Sequence, residues 1–316
     1  MNLGRYALGR LGFGLFQVLA VTLLVFGLTE ALPGDAAVAA AGDNPSRETI
    51  EQLRDQMGLD RPAAVRYLDW LWGLMHGDLG RSLVAPREVS DVLADSVGPS
   101  LVLAGFSLAL LVPLALAIGV AAAVRHGRLL DRLLTSITLA LYSVPEFAVG
   151  LVLVAVFAIK LGWLPATALG VSDELIGQPA VLVLPVLVVV ARPVCSLGRL
   201  VRAGVIDALA AEYVQHVRRL GLSRPRVLLL HALPSAVTPA VQQLARTVDW
   251  LLGGVIVVEA VFVIPGLGTA LVDAVSARDL PVIQALAVLF ACTTIVVNAV
   301  ADVVAFRLTP RTEVVR

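Results

Sequence analysis

From Ser100 to Val124 the chain carries no charged side chain. A helix of that length reaches about 37 Å at 1.5 Å per residue, more than the roughly 30 Å of hydrocarbon in a bilayer. Apolar runs of similar length recur at 11–32, 133–160, 179–203, 238–258 and 283–306. Hydrocarbon gives a backbone N–H or C=O no partner, so each run is expected to bond within itself as a helix. The fourth and fifth runs contain charge and carry the weakest signal. Pro113, Pro145, Pro185 and Pro193 lie inside the runs and predict kinks. The fold class that follows is an all-α integral membrane protein with six transmembrane helices.

Composition agrees. The 316 residues are 58% hydrophobic and 15% charged, where soluble domains carry about 25% charge. Mean hydropathy is +0.89. The formal net charge is zero, so the bulk balance suggests no nucleic-acid partner. Cys195 and Cys292 both sit in apolar stretches and read as small core residues, not as a disulfide framework or a metal site. The amino terminus has a basic front, but the run 11–32 is too long for a signal-peptide core and lacks a small-x-small cleavage site. It reads as a retained first span.

Arginine placement orients the spans. With the amino terminus in the cytoplasm, segments 1–10, 125–132, 199–237 and 307–316 face inward and hold 14 of the 24 basic residues. They hold four acids, Asp131, Asp207, Glu212 and Glu313. The outward loops 161–178 and 259–282 hold one arginine, Arg278. The expected topology is therefore N-in, C-in. Segment 33–98 is then external, with six arginines against eleven acids, a net of −5. Asn44-Pro45 and Gly58 bracket one predicted helix there, and Pro62 opens a second to about Met75. Both are expected on the outer membrane surface.

Several chemistries are absent from the sequence. Lys160 is the only lysine and follows no Gly-rich loop, so the chain has no Walker-type phosphate cradle. His76, His126, His216 and His231 show no metal-ligand spacing, and no G-x-S-x-G elbow occurs. No catalytic residue, cofactor or metal site is expected.

The cytoplasmic stretch EYVQHVRRLGLSRPRVLLLHALP, Glu212 to Pro234, breaks the apolar pattern. Tyr213–Leu220 can form a short helix that Gly221 ends in the left-handed conformation. Ser223 can cap a second helix with Pro225 in its first turn, stopping near Pro234. A two-helix elbow of this kind suits a groove on a soluble partner. A basic loop held on anionic lipid fits the residues equally well.

The segment resembles the coupling motif of binding-protein-dependent ABC importer permeases. Gly221 matches the glycine of E-A-A-x-x-x-G, with Gln215, His216 and Val217 in the E-A-A positions. Tyr213-Val214 and Gly221-Leu222-Ser223 resemble the Y-V-x-x-A-x-x-x-G-L-S form of the peptide branch, with Val217 in place of Ala. Other stretches resemble that branch in order: Leu32-Pro33-Gly34-Asp35, Gly77-Asp78-Leu79-Gly80-Arg81-Ser82, Pro145-Glu146-Phe147, Arg199-Leu200-Val201-Arg202, Glu259 to Phe262 with Pro265 to Gly268, Arg278-Asp279-Leu280-Pro281, and Asn298, Asp302 with Thr309-Pro310-Arg311.

The resemblance implies the type I importer permease fold in a bacterial inner membrane. Its expected divisions are 1–32 (first span), 33–98 (external helical region), 99–308 (five-span core with coupling loop 204–237) and 309–316 (tail). It also implies a second homologous permease, two cytoplasmic ATPases or one fused ATPase that bind ATP and Mg, and an external substrate-binding protein. The implied cargo is a dipeptide or oligopeptide, with nickel chelates or another small solute as the alternative. The coupling residues expected to grip the ATPase are Tyr213, Val214, Gln215, His216, Val217, Gly221, Leu222 and Ser223.

Glu146, Arg192, Arg246 and Asp249 fall in mid-span, where a charge costs at least ~2.5–3.5 kcal/mol by insertion scales. Gln242, Arg246, Asp249 and Gly253 share one face at 3.6 spacing. Glu146, Arg192, Gln242, Arg246 and Asp249 are therefore candidate path-lining residues, with internal ion pairs as the alternative reading. Glu259, Phe262, Pro265, Gly266 and Gly268 form a candidate external gate or binding-protein dock, or else a plain tight turn. A stand-alone carrier or channel is the rival reading. It would often show an inverted repeat, and none is visible.

Overall fold

A computed structural model describes residues 3–31, 37, 38, 41, 46–56, 58–169 and 177–308. It also describes their side chains, except those of 3–11, 53, 56, 242, 245, 248–254 and 301–308. Among these residues every regular element is a helix, and one isolated bridge joins Arg81 to Glu88. The helices are α1 (Leu3–Glu30), α2 (Arg47–Gln56), α3 (Ala63–Met75), α4 (Val89–Val124), α5 (Leu129–Tyr142) and α6 (Glu146–Leu153), which widens into a π segment at Val154–Lys160. There follow α7 (Pro179–Ala210), α8 (Glu212–Arg219), α9 (Arg224–Arg226), a π segment at Val227–Ala232, α10 (Leu233–Ala236), α11 (Thr238–Phe262), α12 (Leu267–Ala277) and α13 (Leu280–Leu308).

Stretches of α1, α4, α7 and α13 are each long and apolar enough to cross a membrane. The number reaches six if α5 with α6, and the end of α11 with α12, are each one interrupted span. The expected third span departs from a kinked rod. At Pro145 the chain turns through 104° between α5 and α6 with its π segment. Each arm is about 21–23 Å long at 1.5 Å per residue, too short to cross alone. Proline locks φ and biases the preceding residue away from α. Pro113, Pro185 and Pro193 lie inside helices that continue through them.

The chain divides into two compact units. The first comprises Met1–Ser100 and Ile264–Val296. Its core joins Val89 and Leu93 to Ala274, Val282, Ala285 and Leu286. α3 is fastened to α1 by Phe26, edge-on to Tyr67 at 5.4 Å and stacked on Trp70 at 6.2 Å, and by an Arg66–Glu30 ion pair. Ring pairs of this kind add about 0.5–1.5 kcal/mol beyond their buried area. Deeper in, the Gln284 amide donates to Thr29 Oγ1 at 3.0 Å. The two helices expected within segment 33–98 appear where the sequence places them. Ser46 Oγ accepts the Thr49 N–H at 3.1 Å and caps α2; Asn44-Pro45 lies outside the described residues. Gly58 takes φ +61° beyond the end of α2.

The second unit comprises Leu101–Val263 and Val297–Arg316, and α7 is its centre. Two-thirds of its most apolar stretch is buried, against 17% for α1. Small residues let backbones approach α7, as lipid-embedded packing requires. A Cβ on Gly119 would lie 2.7 Å from the Gly198 carbonyl oxygen. One on Gly204 would lie 2.2 Å from that of Ala236. α11 ends at Val263 with φ +53°, a left-handed conformation that a β-branched residue seldom adopts.

Candidate functional site

The interruption at Glu212–Pro234 is an elbow attached to the end of α7. Ala211 turns extended, and its carbonyl accepts the N–H groups of Val214 (3.1 Å) and Gln215 (3.0 Å). Gln215 Nε2 donates to the Leu209 carbonyl at 2.7 Å and ties α8 back to α7. Val214 is buried, Val217 is half-buried, and Glu212, Tyr213, His216, Arg218 and Arg219 are exposed. Gly221 follows with φ +87° and nothing within 4 Å of a would-be Cβ. Conformation rather than space calls for glycine there.

Leu222 is half-buried and Ser223 exposed. The Ser223 hydroxyl makes no capping bond; its carbonyl accepts the Val227 N–H at 3.0 Å instead. Pro234 does not stop the returning helix, which continues to Ala236. The π segment at Val227–Ala232 precedes the proline and supplies wider turns just where its ring would crowd Leu230, four residues back. The elbow closes on itself where Tyr213 Oη meets Ser235 Oγ at 2.6 Å. Its outer side mixes exposed Leu220, Leu229 and Leu230 with Arg218, Arg219, Arg224 and Arg226.

A second fixture holds α7 near the elbow. Arg202 grips Asp131 of α5 with two bonds, Nε to Oδ1 at 2.6 Å and Nη2 to Oδ2 at 2.8 Å. His126 Nδ1 lies 3.2 Å from Oδ2, and the Gly127 N–H donates to the same oxygen at 2.9 Å. Asp131 is 3% exposed. The sequence marked Arg202 within Arg199-x-x-Arg202 but gave no partner. The missed signal was Asp131, a lone acid in the otherwise basic segment 125–132.

Of the mid-span charges, Glu146 and Arg192 come together. Arg192 Nη1 donates to Glu146 Oε1 at 3.3 Å. The guanidinium carbon of Arg192 also lies 5.1 Å from the Tyr142 ring centroid, and that of Arg199 lies 4.9 Å from the same ring. Arg246 is exposed on α11; the side chains of Gln242 and Asp249 lie outside the described ones, as does that of Gly253's neighbour Leu252.

The stretch read as an outward loop from Glu259 to Pro281 is largely helical. Glu259 and Phe262 belong to the last turn of α11, both buried, and Phe262 packs on Gly150. The Phe262 carbonyl accepts the Ala168 N–H at 2.8 Å. In the other unit, Pro265 is exposed while Gly266 and Gly268 are buried at the start of α12. There the Ser100 hydroxyl oxygen accepts the Leu267 N–H at 2.8 Å. Asp279 joins two of the sequence stretches: its carboxylate accepts a bond from the Ser82 hydroxyl and another from the Leu83 N–H at 3.1 Å. Leu32 to Asp35 and Thr309 to Arg311 lie outside the described residues.

Comparison with known proteins agrees with this architecture. Residues 115–314 match the model of the binding-protein-dependent transport system inner membrane component, and residues 3–103 match its amino-terminal companion. The chain is 38% identical over 306 residues to a glutathione transport system permease protein of Escherichia coli (strain CFT073), covering 96% of this chain and 97% of that one. It is 37% identical to the protein of the same description from Salmonella typhimurium, with the same coverage. It is 33% identical to a putative peptide transport system permease protein of Brucella abortus, over 93% of this chain and 94% of the relative. Four to six membrane-length helices among the described residues, an elbow at the end of α7 and a match to the two family models over nearly the whole sequence lead to one assignment: this chain belongs to the inner-membrane permease family of binding-protein-dependent ABC importers.

Proposed function

We propose that this chain carries peptides across the membrane as one of two homologous permeases, driven by separate ATPase subunits that engage the elbow at Glu212–Ala236. The observation that carries the reading is the elbow itself. It presents four arginines and three exposed leucines outward, while Gly204 and Ala236 join its far end to α7 with no room for a methyl group. Force on such an elbow passes directly into the most buried helix of its unit. The peptide cargo is suggested by the relatives described as glutathione and peptide permeases.

Tyr213, Val214, Gln215, His216, Val217, Gly221, Leu222 and Ser223 take the coupling role in this reading. Glu146 and Arg192 face the solute, with Arg246, Gln242 and Asp249 as further candidates. ATP and Mg bind the partner ATPases, and an external binding protein delivers the cargo. Reconstitution with a second permease, the ATPase subunits and a binding protein tests the reading. Cysteine at Arg219 is expected to cross-link to the ATPase subunit, and replacing Arg218, Arg219, Arg224 and Arg226 together by Gln is expected to abolish ATP-driven dipeptide uptake. Full uptake by that variant, or uptake by the chain alone, contradicts it.

A further inference from the structure

We infer that Tyr142, Arg192 and Arg199 form a station for the carboxylate of the transported solute, an inference that rests on the peptide reading above. Arg192 and Arg199 are seven residues apart, two turns of α7, so they project from one face about 10 Å apart along the axis. Both guanidinium groups nonetheless converge on one ring, at 5.1 and 4.9 Å from the Tyr142 centroid. Two cations drawn together repel each other. Among the described residues a single carboxylate answers them: Glu146, at 3.3 Å from Arg192.

Arg199 has no carboxylate partner among those residues, so the cluster of Glu146, Arg192 and Arg199 carries one net positive charge. A surplus cation at the end of a membrane-length apolar stretch requires water or an anion. The geometry points to an anion. A guanidinium stacked on an aromatic face keeps its in-plane N–H donors, and those donors match the two oxygens of a carboxylate. The Arg192 side chain is 44% exposed, so an arriving group can reach it, whereas Glu146 is 15% exposed and more deeply set. The solute carboxylate takes the place Glu146 now holds on Arg192 and spans to Arg199. The free amine of a zwitterionic peptide then faces the released Glu146. An anionic lipid head group offers the same oxygens and is the competing occupant at Arg199.

The test uses the complete transporter, this chain with its partners, in phosphatidylcholine liposomes and again with phosphatidylglycerol added. Dialanine and its carboxyl-terminal amide are the probes, and kcat and KM for ATP-driven uptake are measured for each. Comparing the same substrate between wild type and variant cancels any preference of the binding protein. Arg199→Gln is expected to lower the free-acid to amide kcat ratio about tenfold in both lipids. Arg199→Lys, which keeps the charge and loses the fork, lowers it less. Tyr142→Ala, which removes the ring on which both guanidinium groups converge, lowers it as well. Equal losses for both substrates, or an effect confined to liposomes with phosphatidylglycerol, overturn the inference. Wild type moving both probes with Arg199→Gln unaltered overturns the inference alone. Wild type moving neither overturns the peptide reading and the station with it.

Discussion

Replacing Gly204 by alanine isolates the joint between α7 and the elbow. The added Cβ would sit 2.2 Å from the Ala236 carbonyl oxygen, 3.0 Å from its carbonyl carbon and 3.2 Å from its Cα. All three atoms are backbone, so no side chain can swing aside. Non-bonded heavy atoms settle near ~3.5 Å, so the elbow must move off α7 by about 1 Å. Forcing a methyl group into a packed interior costs about 1–3 kcal/mol. At roughly 2–4 °C per kcal/mol, melting of the detergent-purified chain, followed by tryptophan fluorescence, should fall by about 2–12 °C.

Gly105→Ala is the matched control. It makes the same chemical change within a helix, but nothing lies within 4 Å of the new atom. Alanine is the better helix former by about 1 kcal/mol, so that variant should be neutral or slightly stabilised. The contrast in sign is the point, because both variants add one methyl group. In the assembled transporter Gly204→Ala should also lower solute moved per ATP hydrolysed. Equal melting shifts for the two variants, or none for Gly204→Ala, would refute the claim that the elbow is seated directly on α7.

Asp131→Asn leaves Arg202 without its charged partner, and breaking a buried pair in this way costs about 3–5 kcal/mol; the 26% exposure of the Arg202 side chain sets the expectation at the low end. The exchange Asp131→Arg with Arg202→Asp should recover part of that loss in the same melt. Asp279→Ala removes the acceptor of the Ser82 and Leu83 bonds, so limited trypsin digestion should cut after Arg81 and Arg87 about tenfold faster, as loosened loops do. Gly221→Ala should cost about 1–2 kcal/mol through the left-handed backbone alone, while Gly221→Asn should be tolerated better. Val263→Gly removes a β-branched residue from φ +53° and should not lower the melting temperature; a drop of several degrees would show that its packing outweighs its backbone strain.

Much of this architecture was legible because membranes simplify the physics. Uninterrupted apolar length marks the spans, and α1, α4, α7 and α13 lie where the runs predict. Glycine punctuation was equally readable: Gly58 and Gly221 both take positive φ after the helices they were expected to end. Proline was less informative. Pro145 turns the chain through 104°, whereas Pro234, read as a stop, sits within a continuing helix whose π segment makes room for it. A proline's effect depends on whether neighbouring turns can widen, and residue type alone does not carry that information.

Long-range partnerships were harder still. Asp131 with Arg202 is 71 residues apart in sequence, and Ser82 with Asp279 is 197. Local periodicity says nothing about such pairs. The stretches containing Ser82 and Asp279 were both singled out, yet only the fold shows that they meet. Arg192 with Glu146 was available from charge economy, since two opposite charges in mid-span invite pairing. Tyr142 was not, because a tyrosine near a helix end has no signature that separates a cation platform from an ordinary interfacial ring.

The most direct measurement is the number of dipeptides taken up per ATP hydrolysed by liposomes containing this chain, its permease partner, the ATPases and the binding protein, with the elbow intact or with Tyr213–Ser235 replaced by a Gly-Ser linker. A fixed ratio with the native elbow, and hydrolysis without uptake when it is replaced, is the predicted result. An unchanged ratio after replacement, or uptake by liposomes that lack the ATPases, would contradict the account.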